Sequence, residues 1–181
     1  MQTSDAEKQV RRWLEQVVIG LNLCPFAGTP WRSGRVRISV TAASNRDALL
    51  EDLQRELVLL DGTPATQLET SLLVVTGMLE NFAVYNQFLD EADTLLRTCG
   101  WEGQYQVASF HPLYRFSGTK EDDVSNLTNR SPWPILHIIR EASIDAALAT
   151  CADPEEIPAM NIRTMLSMSL EARRKYFPWL D

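Results

Sequence analysis

The chain has 181 residues, of which 45% are hydrophobic and 23% are charged, a composition typical of a folded globular domain. Its formal net charge of −7 argues against nucleic acid and anionic membranes as partners, because both are bound through clustered lysine and arginine. We therefore predict one domain over residues 1–181, with no nucleic-acid partner and no membrane partner.

The cysteines and the start of the chain bear on its location. Cys24, Cys99 and Cys151 lie too far apart for a CxxC metal or redox motif, and their odd number favours a reducing compartment. The first twelve residues are polar and include two acids, which is not typical of a secretory signal peptide. No apolar run approaches the roughly 20 residues that span a bilayer. These features predict a cytoplasmic protein.

The chain up to Phe110 alternates between helical and strand patterns. In chain order we predict a helix over residues 5–20, a loop over 28–34, a strand over 35–41, a helix over 44–61 capped by Ser44, a strand over 71–76, a helix beginning after Asn81 and ending at Gly100, and a strand over 105–110. Such alternation favours right-handed crossovers and an α/β arrangement. An antiparallel α+β arrangement stays open, because sequence does not fix strand order.

The remaining residues have a different pattern. Residues 112–130 form a polar loop, and loops of this length are usually functional or disordered. Ser131 and Pro132 have the residue types of a helix start, which predicts a helix to about residue 150 that carries His137 and Glu141 on one face. A helical turn at Asp153 and a last helix capped by Asn161 follow. The predicted fold is therefore α/β or α+β, with a small sheet of three or more strands packed by helices and a helical C-terminal part.

Three blocks of the sequence resemble a known family. They are residues 13–27 (WLEQVVIGLNLCPFA), Phe110-His111-Pro112 with Tyr114 and Phe116, and residues 129–134 (NRSPWP) followed by His137, Arg140 and Glu141. Together they resemble the bacterial domain-of-unknown-function family 1415. The resemblance covers nearly the whole chain and implies a soluble, single-domain bacterial protein. It implies no activity, so the function has to be inferred from the residues.

The first hypothesis for the site is a metal centre. His137 and Glu141 would face the same way on the predicted helix, and His111 would join them from the end of a strand. Two imidazoles and one carboxylate suit Fe(II), Zn(II) or Mn(II) and leave positions open for a substrate. The alternative is an ordinary helix pair that binds no metal. A divalent transition metal is therefore a possible cofactor.

The second hypothesis is an anion-binding pocket. Four cations lie in or beside the long loop, and a guanidinium binds phosphate or carboxylate well because its donors form a planar fork. They are Arg115, Lys120, Arg130 and Arg140. The alternative is that they pair with neighbouring acids and only hold the loop.

Two further readings concern single residues. Cys24 could be a nucleophile, but it follows a helix C-terminus among apolar neighbours, which disfavours the thiolate and favours a packing role. His111 could act as a general acid or base without metal, oriented by Glu141 or an aspartate.

The sequence thus predicts a small enzyme that acts on a small polar or anionic molecule. His111, His137 and Glu141 would be catalytic or metal-binding, and Arg115, Lys120, Arg130 and Arg140 would bind the substrate. The alternative is a non-catalytic regulatory protein that binds an anion or a protein partner. Oligomeric state is left open.

Overall fold

The computed structural model describes residues 3–180. Its elements in chain order are α1 (Thr3–Trp13), a π-helical turn (Leu14–Ile19), α2 (Gly28–Arg32), β1 (Val36–Thr41), α3 (Arg46–Asp61), β2 (Thr70–Val75), α4 (Phe82–Thr98), β3 (Tyr105–Phe110), a 3-10 helix (Val124–Asn129), β4 (Ile135–Arg140), α5 (Glu141–Ala149), a 3-10 turn (Pro154–Glu156), α6 (Ile157–Ser167) and α7 (Leu170–Tyr176).

The four strands form one mixed sheet in the order β1-β2-β4-β3. β1 and β2 are parallel, while β4 runs antiparallel to both of its neighbours, β2 and β3. β1, β2 and β3 therefore share one direction, and β4 lies between the second and the third. This is an α+β fold with a helical C-terminal part, one of the two arrangements that the sequence predicts.

Helices cover both faces of the sheet. On the first face, α3 and α4 bury the leucines of α3 together with Tyr85 and Phe88 against β2 and β4. On the second face, α1, the π-helical turn and the C-terminal helices pack Val10, Trp13 and Phe177 against Leu72 and Ile135. Because β2 and β4 are covered on both sides, their sequences are almost continuously apolar.

The helices of the first face begin and end where their residue types indicate. The Asn45 side chain accepts a hydrogen bond from the Ala48 amide, so Asn45 caps α3 in place of the predicted Ser44. Asn81 caps α4 as predicted, through the amides of Ala83 and Val84. Gly100 follows α4 at φ +76°, a conformation that glycine adopts without strain. No helix within residues 3–180 is long and apolar enough to cross a bilayer.

The main correction concerns residues 135–140. The predicted helix over 132–150 is wrong in its first half: Ile135–Arg140 forms β4, and only Glu141–Ala149 is helical. The spacing of Ile135, Ile138 and Ile139 fits a helix, but the run from Ile135 to Ile139 is apolar apart from His137. A short, apolar, β-branched run is also typical of a strand buried on both faces, and pairing with two neighbours decides between them here.

Three smaller predictions are also wrong. Residues 28–32 form α2 where we predicted a loop. The Ser131 hydroxyl donates to the Trp133 carbonyl in the turn before β4, so it caps no helix. Asn161 lies inside α6 and donates to the Leu23 carbonyl. The last helix, α7, is capped by Ser169.

Candidate functional site

His111 follows β3 and is completely buried. Its Nδ1 accepts the Leu113 N–H at 2.9 Å, and its Nε2 lies 2.8 Å from the Leu79 carbonyl oxygen. An amide N–H only donates and a carbonyl only accepts, so His111 is the neutral tautomer with its proton on Nε2. Both ring nitrogens are thereby occupied, which leaves no lone pair for a metal or for a substrate proton.

Burial and the positive charge of Arg130 keep the His111 imidazole neutral. Burial lowers the pKa of the imidazole, the Leu79 hydrogen bond opposes this effect, and the positive charge of Arg130 lowers the pKa further. The ring also packs against the aromatic rings of Phe82 and Tyr85, with centroids 5.3 and 4.9 Å away. His111 in this geometry stabilises the turn around Leu79.

His137 lies in the middle of β4 and is bonded on one side. The Thr70 hydroxyl donates to the Ile138 carbonyl, so the 2.8 Å contact between Thr70 Oγ1 and His137 Nε2 requires that the histidine be the donor. Burial lowers the pKa of His137 to about 4. Nδ1 makes no hydrogen bond to any residue of the range 3–180. His137 is therefore neutral at pH 7.

The predicted set of His111, His137 and Glu141 is not brought together. His111 contacts Phe82 and Tyr85 on the first face of the sheet, whereas the His137 ring lies near Phe110 on the second. Glu141 follows the opposite end of β4, and its amide bonds the Gln104 carbonyl. With about 3.3 Å per strand residue, Glu141 and His111 are roughly 20 Å apart.

The metal centre predicted from the sequence depended on a helix through His137 and Glu141, and His137 lies in a strand instead. Four residues along a helix return to the same face, but a strand alternates faces and extends, so His137 and Glu141 do not form a pair. Among the described residues, no group of three His, Cys, Asp or Glu side chains is placed to hold a metal ion.

The Arg140 guanidinium is also held by hydrogen bonds within the fold. One terminal nitrogen donates to the carbonyls of Leu60, Thr63 and Leu68, and the other donates to the Tyr105 hydroxyl at 3.0 Å. These acceptors lie at the C-terminal end of α3 and in the loop before β2, far from the end of β3 where His111 lies. Arg140 therefore ties α3 to the sheet and does not converge with Arg130.

The carboxyl ends of the parallel strands, where open sheets often bind ligands, are closed here. A Cβ added at Gly77, just after β2, would lie 2.5 Å from the Ala43 carbonyl oxygen after β1. The loops that follow the two strands are therefore in direct backbone contact. Between β2 and β3 the crevice is filled by β4 itself. The recess that remains at this edge is lined in part by Thr41, Ala42 and Ala43 and lies on the α3 side of β1.

The loop over residues 112–130 is ordered around Asn126, which is fully buried. Its side-chain oxygen accepts hydrogen bonds from the Phe116 amide and the Thr119 hydroxyl, and its nitrogen donates to the Lys120 carbonyl at 2.8 Å. The 3-10 helix that contains Asn126 is capped by Asp123. The loop is thus a fixed structure, and sequence reasoning assigned no role to Asn126.

We expect Asn126→Ala to lower the free energy of unfolding by about 2 kcal/mol, because the partners of Asn126 would stay buried without hydrogen bonds. Denaturant unfolding measures this change. Ser117→Ala, an exposed position in the same loop, is the matched control and should have no effect. A loss below about 0.5 kcal/mol for Asn126→Ala would contradict the role of Asn126 in ordering the loop.

Arg130 ends the loop and is held by backbone carbonyls. Nε donates to the Tyr114 carbonyl at 3.3 Å, and one terminal nitrogen donates to the Glu121 carbonyl at 2.7 Å. The Arg130 carbonyl accepts the indole N–H of Trp13. Burial lowers the pKa of the half-buried guanidinium, and the nearby Glu121 carboxylate opposes this effect. Arg130 forms no ion pair with any residue from 3 to 180.

Arg130 lies in a cleft of about 260 Å³ between the loop and α7, which we call the arginine cleft. Its charged walls are Asp122, Asp123, Arg130, Arg173 and Arg174. Its apolar surface comes from Val124, Leu127, Leu170, Phe177 and Leu180. The charged residues of the loop (122, 123 and 130) are distant in the sequence from those of α7 (173 and 174). The cleft therefore forms only when α7 packs beside the loop.

The Arg173 guanidinium has fewer bonding partners than the other cations of the cleft. Its side chain makes no hydrogen bond, ion pair or ring contact with the described part of the chain, and its Nε is buried without a partner. The two terminal nitrogens are not among the buried atoms, so they remain accessible. A half-buried guanidinium with free donors favours an anion beside it.

The acids of the cleft differ in their bonding. Asp123 accepts hydrogen bonds from the Ser125 hydroxyl and amide, which lower the pKa of the Asp123 carboxyl. Asp122 is exposed, and its carboxylate makes no hydrogen bond or ion pair with residues 3–180. The arginine cleft therefore presents unpaired charges of both signs.

Arg115 and Lys120, the other predicted substrate ligands, are exposed and do not line the arginine cleft. Neither side chain makes a hydrogen bond or ion pair with a described residue. Of the four predicted anion ligands, only Arg130 lies in the cleft.

Two other recesses offer fewer unpaired polar groups to a ligand. A polar recess of about 570 Å³ lies between β1 and α3, but its charges pair internally, Arg37 with the buried Glu56 and Arg55 with Asp52. The Arg37 and Ser71 hydrogen bonds lower the pKa of the Glu56 carboxyl although burial alone would raise it. A recess of about 330 Å³ between α1 and the C-terminal residues has aromatic walls and a single charged residue, Arg12.

Cys24 packs beside the apolar cluster of the second face, as the packing interpretation predicts. Burial raises the pKa of its thiol, more than the hydrogen bonds to the amides of Phe26 and Ala27 lower it. The thiol is therefore protonated at neutral pH and is not an activated nucleophile.

Arg173 and Arg174 are not among the site residues predicted from the sequence. A local signal exists, since residues 173–175 are Arg-Arg-Lys in the last turn of α7. Cations there also suit the negative end of a helix dipole, so the run by itself does not distinguish a site from a helix end.

The comparisons with known proteins agree with the three sequence blocks. The family model described as "Protein of unknown function (DUF1415)" matches residues 5–175. No curated protein and no solved structure matches the chain significantly. The matched range includes the long loop and α7 up to Lys175, and thus both charged walls of the arginine cleft. The chain belongs to the DUF1415 family of proteins of unknown function.

Proposed function

We propose that the protein binds a small anionic molecule in the arginine cleft. The observation that carries the proposal is the pair Arg130 and Arg173. Both guanidinium groups are half-buried, neither forms an ion pair with a described residue, and both line the same cleft. Partial burial of a cation without a directly paired counter-charge costs free energy, which a bound carboxylate or phosphate would offset.

The size of the cleft limits the ligand. Its volume of about 260 Å³ is below the roughly 300–1,000 Å³ of pockets for drug-sized molecules. A nucleotide or an oligosaccharide would therefore extend far outside it. A small carboxylate or a phosphate ester with a short apolar part matches both the arginines and the apolar surface.

A binding role is favoured over the enzyme expected from the sequence. Neither histidine lines the arginine cleft, and His111 has both ring nitrogens engaged. Histidine acid–base catalysis therefore has no support at this position. The net charge of −7 still argues against nucleic acid, and a cytoplasmic location stays our prediction.

The test measures binding of inorganic phosphate and of small carboxylates, including 4-methylpentanoate, by calorimetry and by thermal shift. We expect at least one of these anions to raise the melting temperature. Arg173→Gln should weaken its binding by about 10- to 100-fold, since one charge-assisted hydrogen bond is worth about 1.5–3 kcal/mol.

Lys120→Gln is the matched control, because it removes one positive charge from the same region but lies outside the cleft. It should reduce the affinity by less than about threefold at physiological salt, where distant charges are screened. The proposal fails if no anion binds at about 10 mM, a concentration that detects even weak site binding. It also fails if Arg173→Gln and Lys120→Gln reduce the affinity equally.

A further inference from the structure

We infer that the ligand of the arginine cleft is a zwitterion, namely an apolar α-amino acid or a close analogue. This inference rests on the proposed function and narrows its ligand class. It follows from three properties of the cleft, which are two guanidinium groups that form no ion pair with a described residue, one unpaired carboxylate and an exposed apolar wall.

The carboxylate is the feature that anion binding alone does not explain. Asp122 lines the cleft together with Arg130 and Arg173, yet it pairs with neither of them. An anion held by the arginines would be repelled by Asp122. A ligand that carries an ammonium group beside its carboxylate removes this conflict, since the ammonium lies next to Asp122 while the carboxylate binds the guanidinium groups.

Asp123 supports the same arrangement from a fixed position. Its hydrogen bonds to Ser125 hold the carboxylate at the start of the 3-10 helix, on the same wall of the cleft as Asp122. The acids thus come from the loop, while Arg173 comes from α7. The cations of α7 therefore lie on a different segment from both acids, whereas Arg130 shares their loop.

The apolar wall indicates the side chain of the ligand. Leu170 is 71% exposed and lines the cleft beside the buried Phe177 and Leu127. An aliphatic or aromatic side chain against Leu170 would remove this apolar surface from water, which favours binding. The volume of about 260 Å³ matches a ligand of single-amino-acid size.

The experiment compares matched compounds. L-leucine, L-methionine and L-phenylalanine are titrated against the protein by calorimetry beside their deaminated acids, of which 4-methylpentanoate is the partner of leucine, and beside the amine 3-methylbutylamine. We expect at least one amino acid to bind tenfold more tightly than its deaminated acid, and the amine to bind more weakly than either.

Variants assign the two ends of the ligand. Asp122→Asn should bring the affinity for the amino acid down to that for the deaminated acid and leave the acid unchanged or slightly tighter. Arg173→Gln should weaken both. Asp145→Asn is the control, because Asp145 is an exposed acid on α5 and does not line the cleft.

The outcomes separate the two proposals. If the deaminated acids bind as tightly as the amino acids and Asp122→Asn has no effect on the difference, the zwitterion is wrong and anion binding stands. If phosphate, the acids and the amino acids all fail to bind, the proposed function itself is wrong. The amino acid could also bind more tightly than its deaminated acid while Asp145→Asn, and not Asp122→Asn, removes the difference. The ligand would then bind elsewhere, and the inference would be wrong.

Discussion

His111→Ala should lower the free energy of unfolding by about 3 kcal/mol, the combined effect of a cavity and two lost hydrogen bonds. The substitution empties a completely buried volume beside Phe82 and Tyr85. It also leaves the Leu79 carbonyl and the Leu113 amide without their partner. Leu79 has φ +68°, a conformation that is strained for a bulky residue, and the hydrogen bond from His111 stabilises it. Denaturant unfolding of the variant measures the loss.

A graded pair of variants separates this structural role from a catalytic one. His111→Asn should be less destabilising than His111→Ala, because the asparagine oxygen can still accept the Leu113 N–H in place of Nδ1. Leu113→Ala is the control, since its side chain is 46% exposed. Equal stability of His111→Ala and the wild-type protein would show that the two hydrogen bonds of His111 contribute nothing, and the catalytic interpretation would then regain its main argument.

Lowering the pH from 7 to 5 should destabilise the protein by about 2 kcal/mol through His137 alone, because the pKa of this histidine differs between the folded and unfolded states. The folded state holds the pKa of His137 at about 4, against 6.5 for an unperturbed histidine. Below pH 6.5 the unfolded state therefore binds a proton that the folded state does not, and linkage favours unfolding. The full contribution of about 3 kcal/mol is present above pH 6.5 and is lost as the pH falls to about 4.

His111 adds to this loss in the same direction, because its pKa is also lowered by burial. Glu56 and Asp123 have lowered pKa values as well, but the stability they contribute is lost only below about pH 4.5, so the window from pH 7 to 5 isolates the histidines.

His137→Gln is the variant that tests this pH dependence, because it keeps a donor for Thr70 and removes the titration. Unfolding curves are recorded at pH 7, 6 and 5. The loss of stability over this range should be smaller in the variant than in the wild-type protein by about 2 kcal/mol. An equal loss in the two proteins would mean that His137 is solvated in the folded state.

The wrong helix over residues 132–150 had the largest effect on the interpretation of the site. The isoleucines at 135, 138 and 139 satisfy a helical period, and only pairing with β2 and β3 makes residues 135–140 a strand. Strand pairing depends on residues that are distant in the sequence, such as Ala108 opposite His137. Once the segment is extended, His137 and Glu141 no longer share a face. The metal hypothesis depended on this one local assignment.

The sequence by itself determined the elements whose signals are local. Apolar stripes predicted α3 and α4, the continuous apolar run predicted β2, and the patterns at 35–41 and 105–110 predicted β1 and β3. The polar run over 112–130 likewise located Arg130 at the end of a long loop. These signals are readable because propensity, capping and periodicity act over fewer than about 20 residues.

The tertiary structure decided which charged residues meet. Arg140 is distant from Arg130 because β4 is extended and separates the two residues by the length of a strand. Arg173 joins Arg130 because α7 packs beside the loop that Asn126 holds. Local periodicity predicts neither the separation of Arg140 from Arg130 nor the proximity of Arg173 to it. Both arise because distant segments bury their apolar faces on the same sheet. The arginine cleft is therefore a product of packing, and its residues are identifiable only in the folded chain.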